Sequence, residues 1–75
     1  MQVKRALLIA GGGTLGTYTA KELLRLGHKV DVICLEDKIS DNKNLTYIKA
    51  KADDEYLKNF LANKHYDGIV NFIHY

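Results

Sequence analysis

The strongest constraint on this 75-residue chain is a glycine-rich segment near its start. Gly11, Gly13 and Gly16 form a G-x-G-x-x-G pattern, which follows an apolar run and precedes an amphipathic stretch. A strand, a glycine turn and a helix in this order form the context in which the pattern indicates dinucleotide binding. The first glycine permits a tight turn, the second lets the backbone approach a pyrophosphate, and the third lets the helix pack close to the strand. The helix N-terminus then offers N–H groups and a positive dipole end to the phosphates.

Apolar runs and helical spacings predict four strands and two helices along the chain. The first strand is apolar at every position from Ala6 to Ala10, as expected of a parallel strand covered on both faces. Leu15, Thr19, Leu23 and Leu26 recur at helical spacing and predict the buried face of the first helix. The predicted strands are 3–10, 29–35, 45–50 and 68–73, and the predicted helices are 14–26 and a second one that starts with the acids at 53–55 and ends near His65.

The order of these elements predicts the topology of the sheet. Right-handed crossovers give a parallel sheet in the order 3-2-1-4 with helices on both faces, which is an α/β, Rossmann-like three-layer half-domain. Strands one and four are then neighbours where the winding reverses. Ligands of such sheets bind at this switch point, outside the carboxyl ends of the strands. The glycine segment, the acidic pair Glu36-Asp37 and the end of the fourth strand all meet that edge.

The acidic pair predicts the nucleotide that the edge would hold. Glu36 stands twenty positions after Gly16, where an acid can reach the adenosine ribose hydroxyls. An acid there repels a 2′-phosphate and therefore favours NAD. Lys38 next to the acidic pair leaves NADP as a possible ligand. Glu36 and Asp37 could also form no more than a solvated turn. The predicted cofactor-binding residues are Gly11, Gly12, Gly13, Thr14, Leu15, Gly16, Glu36 and Asp37.

No catalytic or metal constellation is predicted. Tyr47 and Lys51 spell Y-x-x-x-K, but in a strand such residues stand about 13 Å apart, too far for a proton-transfer pair. The three histidines lack metal-ligand spacing, and His28 and His65 are interpreted as partners of helix C-termini. Cys34 is the single cysteine, which excludes a disulfide framework and predicts a small buried group in a reducing cytoplasm.

Charge and hydropathy exclude two classes of partner. The net charge is +2 and the basic residues are scattered, whereas a nucleic-acid partner would require a basic patch or stripe. No stretch approaches the roughly 20 apolar residues of a membrane span. The chain is therefore expected to bind neither nucleic acid nor membrane.

From Arg5 to Tyr75 the chain resembles the N-terminal part of the extended short-chain dehydrogenase/reductase family, the NAD-dependent epimerases and dehydratases. The resemblance rests on the glycine segment 11–16, the strand 30–35, the stretch 47–57 and the strand 67–73. It implies an NAD-binding Rossmann fold, with the family's Y-x-x-x-K pair and substrate domain beyond position 75. The family's glycine pattern is G-x-x-G-x-x-G, whose first glycine falls on Ala10 here. The family position that holds an adenine-binding aspartate aligns near Lys51 of this chain. The family position that holds the ribose-binding acid aligns near Cys34.

Two function hypotheses follow. The first is a binding module: residues 1–75 are the NAD(P)-binding start of a longer epimerase, dehydratase or oxidoreductase, inactive alone because its catalytic residues and small-molecule substrate site lie elsewhere. The second is a regulatory domain that senses a nucleotide without chemistry; a flavin or a methyl donor is a further possible ligand. In either case the outer side of the fourth strand is unpaired, so self-association through this sheet edge is expected.

Overall fold

A computed structural model describes residues 4–10, 13–51 and 53–72 of the chain. In these residues four parallel strands form one sheet in the order β3-β2-β1-β4, with two helices between them in sequence. The predicted fold class and strand order are therefore confirmed. The elements are β1 (Arg5–Ile9), α1 (Thr14–Arg25), β2 (Lys29–Cys34), β3 (Leu45–Lys49), α2 (Asp54–Ala62) and β4 (Gly68–Asn71).

The helices cover opposite faces of the sheet, as predicted. On one face Leu8, Val30 and Val32 pack with Ala20 of α1 in a buried cluster. On the other face a second cluster holds Leu7, Ile9, Ile33 and Tyr66, against which α2 packs through Leu57, Phe60 and Leu61. Because successive strand residues face opposite sides, an uninterrupted apolar run in β1 feeds both clusters.

The buried face of α1 agrees with the predicted one at Leu23, which packs against the α1-side cluster, but differs from it elsewhere. Leu15 and Leu26 are 67% and 43% exposed, whereas Gly16 and Ala20 are buried. The helix lies on the sheet through these two small residues, one turn apart, so its buried face is rotated by about one residue from the leucine stripe. Gly27 follows the helix with a positive φ of 91°, which confirms the predicted glycine at the helix C-terminus.

The strands end earlier than their apolar sequence predicts. The strand containing Cys34 was predicted to reach Leu35, but Cys34 is its last residue and Leu35 is 71% exposed. The reason is the register: Cys34 pairs with Lys49, the last residue of β3, so Leu35 has no strand residue beside it. The predicted strand ends at Val3 and Ile73 lie outside the described residues.

Helix α2 has an acidic N-terminal cap. The Asp53 carboxylate accepts a hydrogen bond from the Tyr56 N–H at 2.8 Å, and two more acids, Asp54 and Glu55, occupy the first turn. The predicted acidic start is confirmed, with Asp53 as the residue that caps the helix rather than its first member. Asp53 thus caps one N-terminal N–H group of α2, and the acids of the first turn interact favourably with the helix dipole.

A polar network links β2 to the segment before β4. The Tyr66 hydroxyl donates to Asp31 Oδ2 at 2.6 Å, and an Arg5 guanidinium nitrogen lies 3.5 Å from the same oxygen. Tyr66 is buried, and the Arg5 guanidinium lies over its ring. The pKa of the Tyr66 hydroxyl is raised above its ordinary value, mainly because the group is buried. The hydrogen bond to Asp31 and the negative charge of Asp31 raise it further. This network is structural, because it lies among the residues that join the sheet to α2.

Candidate functional site

A cleft of about 640 Å³ opens at the carboxyl ends of β1 and β4. Ile9 pairs with Asn71, so the two strands end side by side, and α1 begins directly above them. The cleft therefore lies at the predicted switch point of the sheet. Its size is within the usual range for small-molecule sites. Its lining in the described residues comprises Ala10, Gly13, Thr14, Leu15, Gly16, Asn71 and Phe72.

The N-terminus of α1 faces this cleft without a capping side chain. Gly13 occupies the cap position and accepts a backbone hydrogen bond from Thr17 at 2.9 Å, but it has no side chain to cap the N–H groups of residues 14–16. No acidic residue occupies the first turn of α1. The contrast with α2, which is capped by Asp53, leaves α1 as the helix whose positive end is open to an anion.

Gly13 has no internal reason to be glycine. Its φ of −85° is open to any residue, and a Cβ built there would meet no atom within 4 Å. Neither backbone strain nor packing inside the chain therefore excludes a side chain. The empty space beside Gly13 belongs to the cleft, where a side chain would occupy volume that a ligand phosphate could otherwise enter.

Ala10, directly after β1, has a strained backbone conformation. Its φ of 59° places it in the left-handed region, and it lines the cleft. A non-glycine residue costs about 1–2 kcal/mol in that conformation. This is the position at which the resemblance aligns the first glycine of the family pattern.

Replacing Ala10 with glycine is expected to stabilise the chain. Relief of the left-handed strain outweighs the added freedom of glycine in the unfolded chain, which leaves a net gain of roughly 0.5–1 kcal/mol in unfolding free energy. Urea denaturation followed by circular dichroism measures this difference. Gly27→Ala is the inverse control, because it places a Cβ on another positive-φ residue and should destabilise. A less stable A10G variant would contradict the strain argument.

The predicted ribose acids lie at the same edge but outside the lining of the cleft. Ile33 pairs with Ile9, so the end of β2 lies beside the end of β1. Glu36 and Asp37 are both exposed, and Glu36 Oε2 lies 3.7 Å from Lys38 Nζ. Lys38 Nζ also lies 5.8 Å from the Tyr47 ring centroid. A ribose contact by Glu36 or Asp37 stays a prediction, and Gly11 and Gly12 lie outside the described residues.

Two lining residues, Asn71 and Phe72, were not among the predicted site residues. The Phe72 N–H donates to the Ile9 carbonyl at 2.9 Å, which holds the end of β4 against β1. Phe72 also packs against the α1-side cluster. The topology nevertheless predicts the end of the fourth strand at this edge, because in a 3-2-1-4 sheet the residues after β4 flank the glycine segment.

The other candidate residues carry no reactive constellation. Cys34 is buried and its thiol donates to the Glu36 carbonyl, while Tyr47 lies in β3, as the strand interpretation of Y-x-x-x-K requires. His28 Nδ1 accepts the Lys4 N–H at 3.3 Å. The interpretation of His65 as a helix C-terminal residue is wrong, because α2 ends at Ala62 and the His65 ring faces Asp67 at 4.0 Å. Among the residues that the structure describes, no three metal-ligating side chains form a cluster and no helix is long and apolar enough to span a membrane.

Solved structures with the same fold include several NAD complexes. The Bordetella bronchiseptica enzyme WbmH in complex with NAD+ matches at a TM-score of 0.80 and 22% identity over 99% of this chain. A short chain dehydrogenase from Leptospira borgpetersenii with bound NAD+ matches at a TM-score of 0.77 and 22% identity over 95% of this chain. The epimerase Mth375 from Methanothermobacter thermautotrophicus matches at a TM-score of 0.76 and 21% identity over 99% of this chain. No protein-family model and no curated protein matches the sequence.

These matches establish the fold class, a Rossmann-type α/β sheet of the kind found in epimerases and short-chain dehydrogenases. The chain covers 27%, 31% and 24% of the three matched structures, so it spans about a quarter to a third of their length. The fold implied by the resemblance to NAD-dependent epimerases and dehydratases is thereby confirmed.

Proposed function

We propose that the chain binds NAD, with the pyrophosphate seated between the glycine segment and the start of α1. The observation that carries this proposal is the open N-terminus of α1 over the cleft, with no capping side chain and no acid in its first turn. Gly13 adds the room that a phosphate needs. Bound NAD in the WbmH and Leptospira dehydrogenase structures supports the choice of ligand.

The backbone N–H groups at the start of α1 are assigned to the phosphates. Thr14 and Leu15 line the cleft and supply two of the first helical N–H groups, while Gly16 allows α1 to approach the sheet. Gly11 and Gly12, which lie outside the described residues, are assigned to the phosphates on the sequence pattern alone. Glu36, or Asp37 beside it, is assigned to the ribose hydroxyls, which selects NAD; the Lys38 ammonium beside Glu36 keeps NADP as the competing ligand.

The longer protein is proposed to be an NAD-dependent epimerase, dehydratase or reductase, with residues 1–75 as its cofactor-binding start. When bound, the nicotinamide supplies hydride transfer. The residues of this chain hold and orient the phosphates, and no side chain in the cleft lining is placed to move a substrate proton. A small-molecule substrate therefore belongs to the rest of that protein, whose proposed compartment is the reducing cytoplasm, where the buried Cys34 thiol stays reduced.

Amide NMR titrations of the chain with NAD, NADP and adenosine test the proposal. We expect NAD to shift the Gly13, Thr14 and Gly16 amides and adenosine to leave them unchanged, because adenosine lacks the pyrophosphate. NADP should bind more weakly than NAD. The dissociation constant for NAD is expected above about 10 µM, because in the proposed role residues 1–75 contact the pyrophosphate and the adenosine and leave the nicotinamide to the rest of the protein. Shifts confined to residues away from the cleft, or none at millimolar NAD, would refute the proposal.

A further inference from the structure

The backbone at the carboxyl end of β2 is anchored to its surroundings. The Cys34 thiol donates to the Glu36 carbonyl at 3.3 Å, and the Cys34 carbonyl accepts the Ala50 N–H at 3.0 Å. These two hydrogen bonds fix the chain from the last residue of β2 to Glu36. The predicted ribose acid therefore stands on a held segment, although its own side chain is exposed.

Lys38 is the covered member of the ion pair that it forms with Glu36. The Lys38 side chain is 28% exposed, whereas the Glu36 side chain is 71% exposed. The Lys38 ammonium lies 3.7 Å from Glu36 Oε2 and 5.8 Å from the centroid of the Tyr47 ring. A cation at this distance over an aromatic face is attracted by the ring quadrupole. Lys38 is thus held beside the acid and does not extend into solvent.

Tyr47 gives this contact a rigid base. It lies in the middle of β3, pairs with Val32 of β2 and packs against the α1-side cluster. A ring that is held by a strand and by packed neighbours has few rotamers open to it, so the place of the cation above it is also restricted. The Lys38 ammonium is therefore positioned by the sheet as well as by the charge of Glu36.

The place of the Lys38 ammonium decides which charge the adenosine ribose would meet. NADP differs from NAD by a phosphate on the 2′-oxygen, which a lone carboxylate would repel. Because Lys38 Nζ lies within ion-pair distance of Glu36, a phosphate at the ribose contact of Glu36 would also lie near the ammonium. Repulsion by the acid and attraction by the lysine therefore oppose each other at one place.

We propose that Tyr47 is a positioning residue for cofactor selectivity: its ring holds the Lys38 ammonium beside Glu36, where the ammonium offsets the acid and narrows the preference for NAD over NADP. The inference rests on the proposed NAD site and adds that NADP also binds there. The dissociation constant for NADP is expected to be less than about ten-fold above that for NAD, because interactions between exposed charges are individually small.

NMR titrations with NAD and NADP at low ionic strength test the role of Tyr47 through the ratio of the two dissociation constants. Tyr47→Leu removes the ring and should widen the preference for NAD about two- to five-fold, the range of a cation–π contact at a partly exposed site. Tyr47→Phe keeps the ring and should leave the ratio unchanged. Circular dichroism of both variants checks that the fold is retained.

Three substitutions in the segment between β2 and β3 test the charges themselves. Lys38→Gln should widen the preference for NAD at least as much as Tyr47→Leu, and Glu36→Gln should shift the ratio toward NADP. Lys43→Gln is the matched control, because Lys43 is an exposed lysine of the same segment that lies just before β3, at the opposite end of the strands from Glu36. It should leave the ratio unchanged.

The outcomes separate this inference from the NAD site on which it rests. If neither nucleotide shifts the Gly13 and Thr14 amides, the NAD site itself is refuted, and the inference with it. If both nucleotides shift them but Lys38→Gln leaves the ratio unchanged, or Tyr47→Leu leaves it unchanged while Lys38→Gln alters it, only the inference is overturned.

The side-chain resonances of Lys38 in the unmodified chain give a test that needs no variant to fold. Because the ammonium end lies over the Tyr47 ring, ring currents should move the Lys38 Hε protons upfield of their random-coil position. NADP should then shift these protons more than NAD does. Random-coil Hε positions, or equal shifts with the two nucleotides, would overturn the proposal.

Discussion

Replacing Gly13 with serine is expected to weaken NAD binding at least ten-fold while leaving folding stability nearly unchanged. The backbone at Gly13 is already open to any residue, and a Cβ would meet nothing in the chain. Serine is also a better helix cap than glycine, by a few tenths of a kcal/mol. The new side chain, however, enters the space proposed for the pyrophosphate and its hydroxyl competes for the N–H groups at the start of α1. A ten-fold loss corresponds to about 1.4 kcal/mol of binding free energy.

Gly68→Ser is the matched control for this prediction. Gly68 also lacks a positive φ and has open space around its Cβ position, but it lies at the opposite end of β4 from the cleft. Thermal unfolding and an NMR titration of both variants separate folding from binding. We expect both variants to melt near the wild type, and only G13S to lose the amide shifts. If the two variants bound NAD with equal affinity, the pyrophosphate would not lie in the part of the cleft beside Gly13.

The path of the backbone could be predicted from the sequence because few topologies satisfy its pattern. The uninterrupted apolar run of β1, a glycine at the end of α1 and the handedness of crossovers leave the order 3-2-1-4 as the expected one. That order alone sets the glycine segment beside the end of β4. The switch-point cleft is thus a consequence of connectivity, and connectivity is what hydrophobic periodicity and glycine positions specify.

Side-chain exposure could not be predicted in the same way. The leucine stripe of α1 has the right period, yet the close approach allowed by Gly16 and Ala20 turns Leu15 outward. Strand ends depend on the neighbouring strand, so Leu35 leaves the sheet although its sequence is apolar. The left-handed backbone of Ala10 could not be predicted from its identity, because alanine seldom adopts this conformation.

Loss of the Asp31 carboxylate is expected to lower folding stability substantially. Asp31→Ala removes the acceptor of the buried Tyr66 hydroxyl and the partner of Arg5. A hydrogen bond to a charged group contributes about 1.5–3 kcal/mol, and a buried hydroxyl left without an acceptor keeps its desolvation cost. We expect a loss of about 2–3 kcal/mol in urea denaturation, a large share of the roughly 4–11 kcal/mol typical of a chain this size. Asp31→Asn, which keeps an acceptor oxygen, should lose about half as much.

The pH dependence of stability reports on the surroundings of the buried Tyr66 hydroxyl. Burial and the Asp31 hydrogen bond raise the pKa of the Tyr66 hydroxyl above the ordinary value of about 10, so its protonated form is favoured by the folded state. The associated stability is fully present below pH 10 and is lost as pH rises further, because the unfolded chain releases this proton first. Tyr66→Phe should therefore lose about 1 kcal/mol at pH 7 and show a shallower alkaline decline than the wild type. An identical alkaline decline in both proteins would mean that folding does not raise the pKa of the Tyr66 hydroxyl.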